Sequence, residues 1–408
     1  MQKKAALPKD LKRKNRNEIL KVFRKCEKKE WSLAEVSEYT GISRATVTKA
    51  VMAFVEEGIL LCRGKGSSTE IGGKRPEVFA FHEEYQFLAY LNIGIGWLSV
   101  AVLDLKLKER ARAEGKLALS SDIEELIAVS MACYRQAVEQ SGVLAERIRG
   151  LCIGTSGMVD QETGILRHIL SYPKWGDELP IKEIFEEKFP GLTVMVENVA
   201  RAAGRAELYF HRELETKKVF TIFTYRGISG CLIDQGIVLN SRNSLIGEIG
   251  HMIICPQDTE NCRCKSKGCF ENMVSEERIL REMRAEPKRL ADSVLGRRTG
   301  ITLQQILQAA EEGDAYSREL TDRAAWRFSL AIRNVILTID PEVIVIQGNY
   351  SVGKGYFHKK MTEYLYNESY FPDLSAWEFL YDERNVLDLA RIGLAAAMAE
   401  ELCSRPEV

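Results

Sequence analysis

One histidine and three cysteines constrain this chain more than any other feature. In GEIGHMIICPQDTENCRCKSKGCFENMVS they stand at His251, Cys262, Cys264 and Cys269, with the spacing H-x10-C-x-C-x4-C. One imidazole and three thiolates are the donor set of tetrahedral Zn²⁺, and four protein ligands close the coordination sphere, so the zinc expected here is structural. In a compartment that keeps thiols reduced, such clustering points to metal before disulfides. A fold that accepts this sequence must therefore bring residues 251 and 269 together around one ion. The other cysteines, Cys26, Cys62, Cys133, Cys152, Cys231, Cys255 and Cys403, are scattered without pattern and are expected to be small core residues.

The rest of the chain has room for more than one core. At 408 residues it is expected to form two or three domains, given ~100–200 residues per domain. Hydrophobic residues at 45% and charged residues at 28% exclude a disordered or fibrous chain. No run approaches the ~20 apolar residues of a membrane span, and the basic start MQKKAALPKDLKRKNR lacks the apolar stretch of a secretory signal. A cytoplasmic protein with no membrane partner is expected. The net charge of −1 hides an asymmetry: residues 1–80 carry 18 Lys+Arg against 10 Asp+Glu, and the remainder carries 39 against 48. Positive charge gathered at one end suits a polyanionic partner.

That basic end reads as three helices and a hairpin. Leu11, Ile19, Leu20, Val22 and Phe23 fit a helix between Asp10 and Lys28. Ser32 can cap a helix over Leu33–Tyr39, Gly41 supplies a tight turn, and Ser43 can cap a third helix from Arg44 to about Glu57. Two short helices about a glycine turn make a helix-turn-helix. Ala34, Val36, Ile42, Val47, Val51 and Phe54 are expected to face inward. That leaves Ser43, Arg44, Ala45, Thr46, Thr48 and Lys49 at the start of the third helix, where a recognition helix meets base edges. ILLCRGKGSSTEIGGKRPEVFAF then reads as strand, glycine-rich turn and strand, a wing whose Lys65, Lys74 and Arg75 can reach the phosphate backbone or minor groove of double-stranded DNA. The competing reading is a trihelical unit that packs on a partner protein; the coincidence of caps, turn glycine, basic excess and wing favours DNA.

From about Tyr85 strands and helices alternate, which signals an α/β fold. FLAYLNIGIGWLSVAVLDLK and LKERARAEGKLAL read as three strands, residues 122–142 as a helix, IRGLCIGTSGMVD and GLTVMVEN as strands, and ARAAGRAELYF as a helix. A second set begins at the hairpin-like VFTIFTYRGISGCLIDQGIVL and includes a long helix around Ala324–Thr338 before the buried strand EVIVIQG. Two mixed sheets with flanking helices suggest two lobes.

GGKRP, IGTSGMVD, YPKW, VEN, GEIGH and the Cys cluster, in this order behind a winged helix, resemble the ROK family of repressors, open reading frames and kinases, over essentially the whole chain. GGKRPEVFAF is similar to the wing-to-core junction of that family's xylose and N-acetylglucosamine repressors. The resemblance implies a winged helix-turn-helix over residues 1–81 and a two-lobed actin-like, hexokinase-like (ribonuclease H-like) core over 82–408. Lobe one would span about 82–200 plus the C-terminal helix, and lobe two about 201–385. It also implies a sugar or sugar-derivative effector held by Asn198, Glu248, His251 and Glu271, with the same histidine serving the zinc. Lys265 departs from the family, where glycine is usual. A homodimer or higher homo-oligomer on a palindromic operator is expected.

The resemblance also shows what phosphoryl transfer would lack. Val199 stands where the family's kinases carry the aspartate that activates the sugar hydroxyl, a contribution of roughly 10²–10⁴-fold for general-base catalysis. The first phosphate loop is Asn92-Ile93-Gly94-Ile95-Gly96-Trp97, without the family's acid and threonine. The second keeps Gly227, Gly230 and Gly236 but is diluted by Ile228, Ser229 and Cys231. Expected is a non-enzymatic repressor of carbohydrate-metabolism genes. The alternatives are an active sugar kinase with a DNA-binding head and a regulator governed by a partner protein.

Overall fold

Ser32 and Ser43 each start a helix. The Ser32 hydroxyl accepts from the Glu35 amide while the Glu35 carboxylate accepts from the Ser32 amide, a reciprocal cap, and Ser43 accepts from the Thr46 amide. In the computed structural model, which describes residues 8–25, 28–65, 75–367 and 377–404, the chain begins with α1 (Pro8–Lys25), β1 (Glu30–Ser32), α2 (Leu33–Thr40), α3 (Arg44–Glu56), β2 (Leu60–Lys65) and β3 (Glu77–Phe81). Gly41 ends α2 in the left-handed conformation at φ 68°, as a tight turn between helices requires. Ile19, Leu20, Val22 and Phe23 of α1 are buried, as are Val36 of α2 and Val47, Val51 and Phe54 of α3. Ala34 was expected inside and is exposed, whereas Val36, also expected inside, is buried. Ile42 is only half-buried. The short β1, which has too little periodicity to be read from sequence, pairs with β3, giving an antiparallel sheet in the order β1-β3-β2. Cys26 and residues 66–74, Lys74 among them, lie outside the described residues.

There follow β4 (Phe87–Ile93), β5 (Trp97–Asp104), β6 (Glu109–Lys116), α4 (Ile123–Ser141), β7 (Ile148–Thr155), β8 (Met158–Asp160), β9 (Ile165–His168), α5 (Ile181–Lys188), β10 (Thr193–Asn198) and α6 (Val199–Phe210). Five of these strands form a sheet in the order β10-β7-β4-β5-β6, with β4, β5 and β6 antiparallel. The remaining elements are β11 (Lys218–Thr224), β12 (Ile228–Asp234), β13 (Ile237–Val238), α7 (Phe270–Val274), α8 (Glu276–Arg284), α9 (Pro287–Asp292), α10 (Leu303–Glu311), α11 (Ala315–Ile339), β14 (Val343–Gly348), α12 (Tyr356–Asn367), β15 (Glu378–Asp382) and α13 (Val386–Ser404). A second sheet runs β13-β12-β11-β14-β15, antiparallel through β13, β12 and β11 and parallel from β11 to β15. Its inner strand β14, flanked by β11 and β15, is apolar at successive positions because both faces are covered. Ile344 and Ile346 pack with Phe270, Phe328 and Met361 on one side, and Val343 and Val345 pack with Val219 and Ile233 on the other. The long helix begins at Ala315, nine residues before the Ala324 expected from sequence, because Asp314 caps it through the Ser317 amide.

Two compact units emerge. One comprises Met1–Ile153, Lys182–Met195 and Ala395–Val408, and the other Gly154–Ile181 and Val196–Leu394. Among the described residues no helix is long and apolar enough to cross a membrane.

Candidate effector and metal site

The motif GEIGH lies flat on the start of β12. A Cβ at Gly247 would overlap the Gly230 carbonyl and one at Gly250 would overlap the Ile228 carbonyl, so only glycine permits this approach. The Gly230 amide donates to Gly247 O at 2.6 Å, which fixes the segment. Glu248, between these glycines, is the N-cap of a short 3-10 turn, Ile249–His251, and His251 ends that turn. The His251 ring is thereby divided between two neighbours: Nδ1 is 3.8 Å from Cys262 Sγ, and Nε2 is 4.0 Å from the Glu248 carboxylate.

The cysteine loop closes from the other side. Cys262 N donates to Ser266 O at 2.7 Å, Lys265 N to Cys262 O at 2.9 Å, and Ile254 N to Gly268 O at 2.9 Å. Cys269 then opens α7 as its N-cap. The donor atoms of His251, Cys262, Cys264 and Cys269 all lie within 4.8 Å of one another, and Cys264 Sγ is 3.5 Å from Cys269 Sγ. A tetrahedral ion with metal–sulfur bonds of ~2.3 Å separates its donors by ~3.8 Å, so the four residues fit one. The cluster can hold a metal ion. Lys265, the family departure, takes the left-handed conformation at φ 70° that glycine adopts without strain.

A small cavity borders Glu248. Met158, Val159, Asn198, Arg201, Ser229, Ser244, Ile246 and Glu248 line it, and its volume of about 10 Å³ admits one water-sized group. Burial raises the Glu248 carboxyl above its ordinary range; His251 and Arg201 pull it down and Glu271 pushes it up. The Asn198 amide, expected to serve a ligand, is largely engaged by the fold. Its Oδ1 caps α6 by accepting from the Ala200 and Arg201 amides, and its Nδ2 donates to Gly157 O. Glu271 does not line this cavity; its carboxylate accepts from the Ile228 amide at 2.8 Å and so anchors the turn before β12.

Sequence reasoning missed Arg201 and Glu197. The Arg201 guanidinium is 4% exposed and donates to Glu197, to Val159 O and to Asn240 Oδ1, while Glu197 is fully buried. The i,i+4 spacing of an acid and an arginine across VEN and α6 was the available signal. Ser229 and Ser244 carried none.

At the positions compared with kinase loops, the Trp97 indole lies flush on Gly94, where a Cβ would overlap the ring. Val199 is the first residue of α6, directly after the Asn198 cap.

The candidate nucleic-acid face is the start of α3. Ser43, Arg44, Ala45 and Lys49 are exposed, whereas Thr46 and Thr48 are half-buried. The Thr48 hydroxyl donates to Arg44 O, and the Ser43 and Thr46 hydroxyls bond each other. Lys65, at the end of β2, and Arg75, just before β3, are exposed.

The ROK family pattern matches residues 90–378. A xylose repressor of Caldicellulosiruptor bescii is 23% identical over 382 residues, covering 92% of this chain and 93% of its own. An N-acetylglucosamine repressor of Escherichia coli is 23% identical over 324 residues, covering 78% of this chain and 76% of its own. Glucokinases are among the other relatives. A ROK family transcriptional regulator, a homologue of the E. coli MLC protein, has the same fold with a TM-score of 0.77 at 20% identity, covering 96% of this chain and 98% of that one.

Proposed function

The chain belongs to the ROK family, and from that premise we propose that it is a sugar-responsive transcriptional repressor of carbohydrate-metabolism genes. The observation that carries the reading is the presentation of α3. Val47, Val51 and Phe54 are buried while Arg44, Ala45 and Lys49 stand in solvent at the helix N-terminus, the end that a recognition helix sets against base edges. With β2 and β3 as wing, residues 1–81 serve as a winged helix-turn-helix on double-stranded DNA. Arg44 reads a base, and Lys65, Lys74 and Arg75 meet phosphates.

The core, residues 82–408, is the sensor. Zn²⁺ held by His251, Cys262, Cys264 and Cys269 pins the loop from which Glu248 and Glu271 project, and sugar hydroxyls are recognised there by Glu248 and His251. The metal supplies structure; the side chains of this chain bind. Val199 offers no atom to take a proton from a sugar hydroxyl, and Trp97 occupies the first phosphate loop, so the pocket senses and does not transfer phosphate. The match to a xylose repressor over 92% of this chain supports this reading. A homodimer places two heads on one palindromic operator.

Fluorescence anisotropy on operator fragments from the chain's own gene neighbourhood tests the proposal. Arg44→Ala weakens operator binding by about 1–3 kcal/mol if Arg44 reads a guanine, and a sugar shifts the affinity of the unaltered protein. The alternative of an active sugar kinase rests on the glucokinases among the relatives. ADP release over a hexose panel, abolished by Glu248→Ala, would establish it instead.

A further inference from the structure

Most polar side chains around the Glu248 cavity are already used by the fold. Arg201 is spent on Glu197, Val159 and Asn240, and the Ser229 hydroxyl donates to Gly247 O. The loop carrying Ser244 is shaped by its neighbour Ser241, whose Oγ accepts from the Leu245 and Ile246 amides. Two groups remain. Ser244 is 4% exposed, lines the cavity, and its Oγ has no hydrogen-bond partner. Glu248 lines the same cavity, and among the described residues its carboxylate pairs only with His251, at 4.0 Å, beyond hydrogen-bond length.

A buried hydroxyl without a partner is costly, and folded proteins rarely leave one without a use. Ser244 also sits at φ 56°, a conformation that no hydrogen bond of its own side chain rewards. One unspent donor and one unspent acceptor share a cavity with room for one oxygen atom. A single alcohol group satisfies both, since it donates its proton to Glu248 and accepts one from Ser244. We propose that Ser244 is a ligand-binding residue that, paired with Glu248, receives one hydroxyl of a neutral polyol. The cavity takes that hydroxyl while the rest of the ligand lies outside it. This deepens the sugar reading above and rests on it.

Isothermal titration of the full chain with D-xylose, D-glucose and N-acetyl-D-glucosamine provides the test. For a sugar that the unaltered protein binds, Ser244→Ala weakens affinity about tenfold, the effect of one buried hydrogen bond. The melting temperature without sugar does not fall, because the hydroxyl serves no contact of the fold. Ser244→Gly, which also relieves the backbone, loses the same affinity and melts higher. Among monodeoxy analogues of the bound sugar, one binds the unaltered protein and Ser244→Ala equally, which a merely structural serine would not produce. If both variants bind as the unaltered protein does, the Ser244 assignment is overturned and the sugar reading stands. If the unaltered protein binds none of the three sugars, both fall together.

Discussion

The Arg24 guanidinium of α1 donates to the Glu400 carboxylate of α13 at 2.8 Å, although 376 residues separate the two in sequence. A second bond reaches Ala396 O at 3.2 Å, and Arg24 is 3% exposed. The first helix of the basic head is thus joined to the last helix of the chain by a buried, hydrogen-bonded cation.

Arg24→Ala removes both bonds. Because Glu400 is partly solvated, a loss of about 1–2 kcal/mol is expected. A lower urea midpoint of the first unit, followed through Trp31 fluorescence, is the expected result; an unchanged midpoint would show the contact to be energetically idle.

Cys264→Ser leaves three of the four soft donors and opens the coordination sphere. Zinc content by atomic spectroscopy is expected to drop well below one per chain, together with the response to sugar. Normal metal content in the variant would refute the assignment. Chelation of the unaltered protein should produce the same loss, and zinc should restore it.

Lys265 sits at φ 70° in the turn between Cys262 and Ser266. Lys265→Gly removes the clash of a Cβ in that conformation and should stabilise the protein by up to about 1 kcal/mol, the left-handed penalty less the entropy of glycine in the unfolded chain. The denaturant midpoint rises while zinc content stays the same. A fall would mean that the lysine side chain makes a contact worth more than the strain.

Glu207 is 1% exposed beside Asp382, and its carboxyl is pushed up to about 8, first by burial and then by the Asp382 carboxylate. The folded state therefore holds a proton that the unfolded state, at the ordinary value of 4.5, has released. Stability from this group is fully present below the unfolded value and is lost as pH rises through about 8. Glu207→Gln keeps a neutral group that can still accept from Gln347 Nε2. Thermal melts across this range should show the variant gaining on the unaltered protein as pH rises toward 8. Parallel curves would dismiss the buried proton.

The features legible in the amino-acid order were those carried by a few neighbouring residues. The caps at Ser32 and Ser43 and the turn at Gly41 declare themselves within a helical turn, and apolar runs such as EVIVIQG mark strands covered on both faces. The ligand spacing from His251 to Cys269 needs only a local loop to close. Other features depend on which distant segments meet. The placement of α2 buried Val36 but left Ala34 outward, and β1 formed only because β3 lay beside it. The engagement of Asn198 with Gly157, the Glu197–Arg201 pair beside Glu248, the unpaired Ser244 hydroxyl and the Arg24–Glu400 contact were all decided by tertiary structure. Hydrogen bonding and burial across tens to hundreds of residues leave no period in the sequence, whereas capping, turn geometry and metal-ligand spacing act over distances the local chain itself sets.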